Sequence, residues 1–135
     1  METIESIARL SRITRQRRVN EWAVDAFGVG QAINPKQRAL RLLEEAVEAW
    51  QAVGGDRTMA HLTVDVMFER PPGDPVQELG GVGVTLLALA ASLGVSADQE
   101  EAREIARIFS KPIEHWTARN AAKNAAGLDA TKVAS

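Results

Sequence analysis

Residues that start and stop helices recur along this chain at intervals that leave room only for helices of modest length. Asn34-Pro35 and Asp74-Pro75 each place a side chain that can accept from free helix N–H groups just before a proline. At the first helical position a proline's missing N–H costs nothing. Gln77 follows Asp74, and Gln99 follows Ser96, at the three-residue spacing of a capping box. Gly28 and Gly30, Gly54-Gly55, Pro71-Pro72-Gly73, Gly94, Lys111-Pro112 and Gly127 mark the stops. The predicted segments are Thr3 to Phe27, Pro35 to Val53, Arg57 to Arg70, Pro75 to Leu93, a helix opened by Ser96, and one from Ile113 to Gly127. Within the first, Val19, Trp22, Ala23, Ala26 and Phe27 recur at helical spacing; within the second, Ala39, Leu42, Leu43, Ala46 and Trp50 share one face. Arg57 to Arg70 fits either period: Leu62, Val64, Val66 and Phe68 alternate, while Met59, Leu62, Thr63, Val66 and Met67 fit a helix. A strand needs a partner and no other segment alternates, so helix is the reading. The expectation is all-α, a small bundle of five or six helices with short connections.

A length of 135 residues suits one domain, taken as residues 1–127, with residues 128–135 expected to be a frayed tail. No cysteine is present, which excludes disulfides, thiolate metal sites and thiol nucleophiles. The net charge of −2 gives no basic field for nucleic acid. Five arginines between Arg9 and Arg18 form either a solvated helix face or a patch that attracts phosphate. The first residues carry Glu2, Glu5 and Arg9 without an apolar stretch of the signal-peptide kind, and the run Val82 to Ala91, broken by Gly83 and Thr85, is short for a bilayer. The expected location is cytoplasmic, with no membrane partner.

The chemistry concentrates in three places. Glu44, Glu45 and Glu48 form E-E-x-x-E on the second long helix. Glu44 and Glu48 lie about 40° apart around the axis and Glu45 and Glu48 about 60°, so all three project from one side, roughly opposite the apolar stripe. Close carboxylates repel unless a cation or an arginine intervenes, and hard divalent cations take such oxygen ligands. Arg41 can pair with Glu44 or Glu45, which is the structural explanation of the same residues.

The helix after Asp74 opens Glu78-Leu79-Gly80-Gly81-Val82-Gly83. Glu78 in a first turn is favoured by the helix dipole. The three glycines together forgo roughly 3 kcal/mol of helix propensity relative to alanine, which calls for close helix packing or close approach of a ligand. Near the C-terminus Trp116, Arg119, Asn120, Lys123 and Asn124 are spaced by three or four, so one helix presents an arginine, a lysine and two amides beside an indole. Arginine and lysine can hold phosphate oxygens, and an amide can read a base or a sugar hydroxyl.

Leu42-Leu43-Glu44-Glu45-Ala46-Val47-Glu48, then Glu78 in a helix continuing Val84-Thr85-Leu86-Leu87-Ala88, then the Lys/Asn cluster, resembles the MazG-like all-α nucleotide pyrophosphohydrolases over about Arg38 to Asn124. That family's pattern is E-E-x-x-E followed by E-x-x-D; here the aspartate position holds Gly81, and 29 residues separate Glu48 from Glu78. The resemblance implies Mg²⁺-dependent hydrolysis, with Mn²⁺ as a substitute, of a nucleoside triphosphate to monophosphate and pyrophosphate. It implies Glu45, Glu48 and Glu78 as metal ligands, Glu44 as the supporting acid or base, and Arg119, Asn120, Lys123, Asn124 and Trp116 on the substrate. Trp22 and Trp50 are the other indoles that could stack on a base. It also implies a homodimer or dimer of dimers.

Two alternatives stand beside that expectation: a non-catalytic relative that binds nucleotides, and a helical protein-interaction module whose acids form a wet face. A di-iron bundle is disfavoured, because neither His61 nor His115 has a glutamate three residues before it.

Overall fold

A computed structural model describes residues 2–132, and among these every regular element is a helix. The eight helices follow from local capping. Thr3 and Ser6 cap each other across the first turn of α1 (Ile4–Ala8). The side chain of Ser11 accepts from Thr14 N at 3.2 Å and opens α2 (Arg12–Phe27). Gly28, at φ 80°, closes α2 and starts the single turn α3 (Val29–Ala32). Asn34 accepts from Gln37 N at 3.0 Å to open α4 (Pro35–Ala52), and Asp56 accepts from Met59 N at 2.7 Å to open α5 (Arg57–Phe68). Asp74 opens α6 (Pro75–Leu93) through Val76 N rather than Gln77, and Gly94 ends it in the left-handed conformation. Ser96 opens α7 (Ala97–Phe109), and α8 (Ile113–Ala125) follows Pro112.

The all-α expectation holds. The count is eight rather than five or six because the predicted first helix is two, divided at Leu10-Ser11, and α3 is additional.

The core joins distant parts of the sequence. Ile7, Ala102 and Ile105 are buried together, with Ile4, Leu10, Val19 and Phe109 around them, so α1 packs on α7. Arg15, almost wholly buried, secures that junction. Its guanidinium donates to the carbonyls of Ile7 and Ala8, in the last turn of α1, at 3.3 and 3.1 Å. It also donates to Asp98 and Glu101 at 2.8 and 3.0 Å. One of the five clustered arginines is therefore structural. On the other side α2 packs on α8: the Thr117 hydroxyl donates to the Ala26 carbonyl at 2.7 Å, and Trp22 meets Trp116 edge-on.

The middle of the chain is different. α5 has no buried residue and α6 only Ala90. The predicted apolar stripe of α4 faces outward, with Leu42, Leu43 and Trp50 all exposed. Instead α4 turns Gln37, Arg41 and Glu44 toward the rest of the molecule, where Gln37 is fully buried. At 19 residues and a mean hydropathy of 1.5, α6 is long and apolar enough to cross a membrane, although the run Val82 to Ala91 is short by itself. The total accessible surface is 10051 Å².

Candidate functional site

Side chains from three helices and the C-terminal segment converge on Glu44. α4 supplies Arg41 and Glu44, three apart and so on one face. Arg41 Nη1 donates to Glu44 Oε2 at 2.7 Å, one of the two pairings open from the sequence. Lys123 of α8 lies against the other oxygen, Nζ to Oε1 at 3.5 Å. Arg41 Nη2 donates to Asn120 Oδ1 and Asn124 Oδ1 at 3.2 and 3.1 Å. The amide nitrogens of both asparagines donate to Gln31 Oε1 of α3, at 3.2 and 3.3 Å. Helical spacing thus puts Asn120, Lys123 and Asn124 on one face, and that face meets the E-E-x-x-E helix about 80 residues away in sequence.

The C-terminal segment closes the cluster. Gln31 Nε2 lies 3.4 Å from both Asp129 Oδ1 and Thr131 Oγ1, and Ala130 N donates to Gln37 Oε1 at 2.7 Å. Leu128 N caps α8 on the Lys123 carbonyl at 3.0 Å. Hydrogen bonds from Thr131 hold the Asp129 carboxyl below its ordinary range, helped by Lys132 and Arg41. Leu128 to Thr131, the start of the expected tail, thus find hydrogen-bond partners in α3, α4 and α8. Residues 133–135, the end of that expected tail, lie outside the described residues.

The other expected site residues are placed as follows. Glu45 and Glu48 are exposed on α4. Glu78 is exposed on α6, where its carboxylate folds back over Gly73. Among the described residues no three acidic or histidine side chains stand close enough to share a metal ion, so one chain does not gather Glu45, Glu48 and Glu78. Trp116 is not open for stacking. Its ring is buried between Trp22 and Arg107, and Nε1 is engaged by the Ile108 carbonyl at 3.0 Å. Trp22 shares that packing, and Trp50 folds over Gly55 with Nε1 on the Asp56 carbonyl at 2.8 Å. Arg119 is exposed beside His115 rather than against Glu44. His115 titrates below its ordinary value, through loss of hydration and then the charges of Lys111, Arg119 and Arg107. A Cβ at Gly80, Gly81 or Gly83 would meet nothing within 4 Å, so the chain's own packing makes no demand for these glycines.

Three contributors were not singled out from sequence as site residues. Gln31 carries no signal, being one glutamine in a short glycine-flanked stretch. Asp129 lay in the expected tail. Arg38, one turn before Arg41, has Nε and Nη2 enclosed without a hydrogen-bond partner among the described residues and its guanidinium carbon 5.0 Å from the Phe27 ring centre. Burial, and then the neighbouring charge of Arg41, depress its pKa. The two best-formed concavities, about 140 and 280 Å³, are lined by none of the Glu44 cluster.

Compared with known proteins, the chain matches no family model, no curated protein and no solved structure.

Proposed function

We propose that this protein hydrolyses nucleoside triphosphates to monophosphate and pyrophosphate with Mg²⁺, or Mn²⁺ in its place, as a MazG-like pyrophosphohydrolase working in the cytoplasm. The observation that carries the reading is the meeting of Asn120, Lys123 and Asn124 with the E-E-x-x-E helix at Glu44. Arg41, Lys123 and the unpaired Arg38 make that region rich in cations for a triphosphate. Glu44, held between Arg41 and Lys123, serves to orient these two cations. The asparagines spend their amide oxygens on Arg41 and act by fixing it rather than by reading a base. Glu45 and Glu48 offer carboxylates on the same helix, of the oxygen type a hard cation takes. They are two of the three expected ligands, and no step is assigned through a metal that a single chain does not gather. A bound divalent ion would supply charge neutralisation at the phosphates.

The reading includes self-association. A folded monomer of 14.6 kDa exposes roughly 6,900 Å², whereas this chain exposes 10051 Å². The excess, about 3,000 Å² per chain, exceeds what a standard interface removes from each partner. Most of the large exposed apolar side chains lie on α4, α5 and α6, and α4 bears Glu45 and Glu48 while α6 bears Glu78, so a second copy is the natural cover and would complete the site.

The test is pyrophosphate release from a panel of nucleoside triphosphates with Mg²⁺ or Mn²⁺, for wild type and Glu48→Gln. The expected outcome is metal-dependent release by wild type and a loss of about a thousandfold in the variant, the scale of several kcal/mol of charge stabilisation. Equal turnover by both would remove the assignment of Glu48. A second reading, a helical interaction module without catalysis, is favoured by the same uncovered faces. It predicts no release with any nucleotide and no rise in melting temperature on adding Mg²⁺.

A further inference from the structure

We propose that Gln31 is a positioning residue, and that the C-terminal segment Leu128–Thr131 sets through it the orientation of the amides that hold Arg41 on Glu44. The inference rests on reading the Glu44 cluster as the nucleotide site.

The relay has one possible direction, because both of its ends are chemically fixed. Asp129 is a carboxylate and only accepts. Gln31 must therefore turn its Nε2 toward Asp129 Oδ1, at 3.4 Å, and its Oε1 the other way. Oε1 then accepts from Asn120 Nδ2 at 3.2 Å and Asn124 Nδ2 at 3.3 Å. Each asparagine is left with its Oδ1 facing α4, where Arg41 Nη2 donates to both. A guanidinium only donates, so the far end demands the same direction. Arg41 reaches Glu44 from this seat through its other terminal nitrogen at 2.7 Å. Without the accepting oxygen at position 31, both asparagine NH₂ groups lose their acceptor, and Arg41 alone is left to hold the two amides in place.

The substitution series follows from which edge of the amide matters. Gln31→Glu keeps the accepting edge and loses the donating one, so the asparagines keep their orientation while the tail is released. Gln31→Leu loses both edges at similar volume. Loosening of the two charge-assisted bonds to Arg41, once the amides lose their anchor, should raise KM for the nucleoside triphosphate roughly tenfold in Gln31→Leu, with kcat within about twofold. Gln31→Glu should raise KM less than Gln31→Leu does, its only cost being the added negative charge beside the cations, with kcat again within about twofold. In two-dimensional ¹⁵N–¹H spectra the side-chain NH₂ signals of Asn120 and Asn124 should shift in the Leu variant and hold their positions in the Glu variant. Circular dichroism of both variants checks that the helices remain. Equal KM in all three proteins, or equal impairment of both variants, would overturn the proposal, as would asparagine signals that ignore Gln31→Leu. If wild type hydrolyses no nucleotide, the functional reading fails by itself and the amide signals still decide whether the relay exists.

Discussion

A guanidinium enclosed without an acceptor is an expensive way to fill space, and Arg38 is such a group. Its Nε and Nη2 have neither protein partner nor solvent, and Arg41 is a like charge one turn away. An unsatisfied buried donor costs on the order of 1–3 kcal/mol, more than the approach to Phe27 returns at a half-buried position. Arg38→Met, of similar reach and without donors, is therefore expected to raise stability by about 1 kcal/mol. The check is the midpoint of urea unfolding at unchanged slope. A lower midpoint would mean that the contact with Phe27 dominates. In the nucleotide reading the same variant should bind triphosphate less well, the usual exchange of stability for function at a site. Much of the cluster at this scale is legible in the sequence, because Glu44, Asn120, Lys123 and Asn124 declare themselves by type and by spacing of three or four. Gln31 and Asp129 do not. A neutral glutamine and a lone aspartate acquire meaning only from what the fold sets beside them. Residue type left Trp116 open for a related reason: an indole suits a core as well as a base, and here it is buried with its N–H on the Ile108 carbonyl across the α7–α8 turn.

Helix boundaries were readable wherever a cap and a proline stand together, at Asn34-Pro35 and Asp74-Pro75, because both the acceptor and the fixed φ act locally. The break at Leu10-Ser11 was not readable. Ser11 opens the second helix there with a hydroxyl, a common residue in a run that otherwise keeps helical spacing, and Arg15 secures the bend only by reaching Asp98 and Glu101 far along the chain. α6 poses the sharper question at the scale of elements. Its three glycines call for close packing or close approach of a ligand, and within one chain no protein atom lies within 4 Å of a Cβ built there. If only intrinsic propensity counted, Gly81→Ala would stabilise the helix by about 0.8–1.0 kcal/mol. Under the self-association proposed above, that surface is where another copy lies close, and a methyl there obstructs it. The expected result for Gly81→Ala is retained or increased helix content by circular dichroism, together with weaker association by sedimentation. An unchanged association constant would leave the glycines without a steric role, and a gain of metal-dependent activity confined to Gly81→Asp would mark the position as a lost ligand instead.

For the molecule as a whole, what the sequence could not express is which side of α4 turns inward. Its apolar stripe and its acidic face are both plain in the periodicity, and the natural inference buries the stripe. The chain does the reverse, seating Gln37, Arg41 and Glu44 against α3 and α8 and leaving Leu42 and Leu43 outside. Burial within one chain is a local optimum only where no second chain competes for the same surface. Light scattering on the purified protein should therefore give a mass of at least two chains, and the melting temperature should rise with concentration. Leu87→Glu, a charge on the exposed flank of α6, should shift the mass toward one chain of 14.6 kDa. A monomeric wild type at micromolar concentration would contradict the proposed cover. The pairing of α1 with α7 has a consequence for synthesis as well. Ile7 is buried only once Ala102 and Ile105 join Leu10 and Val19 around it, so the first helix leaves the ribosome incompletely covered until roughly 95 further residues have been made, about 5–20 s of translation. The apolar middle helices emerge within that interval, before α7 does. The nascent chain is thus a strong client for holding chaperones, and slow codons placed before residue 100 should lower its soluble yield more than the same codons placed after it.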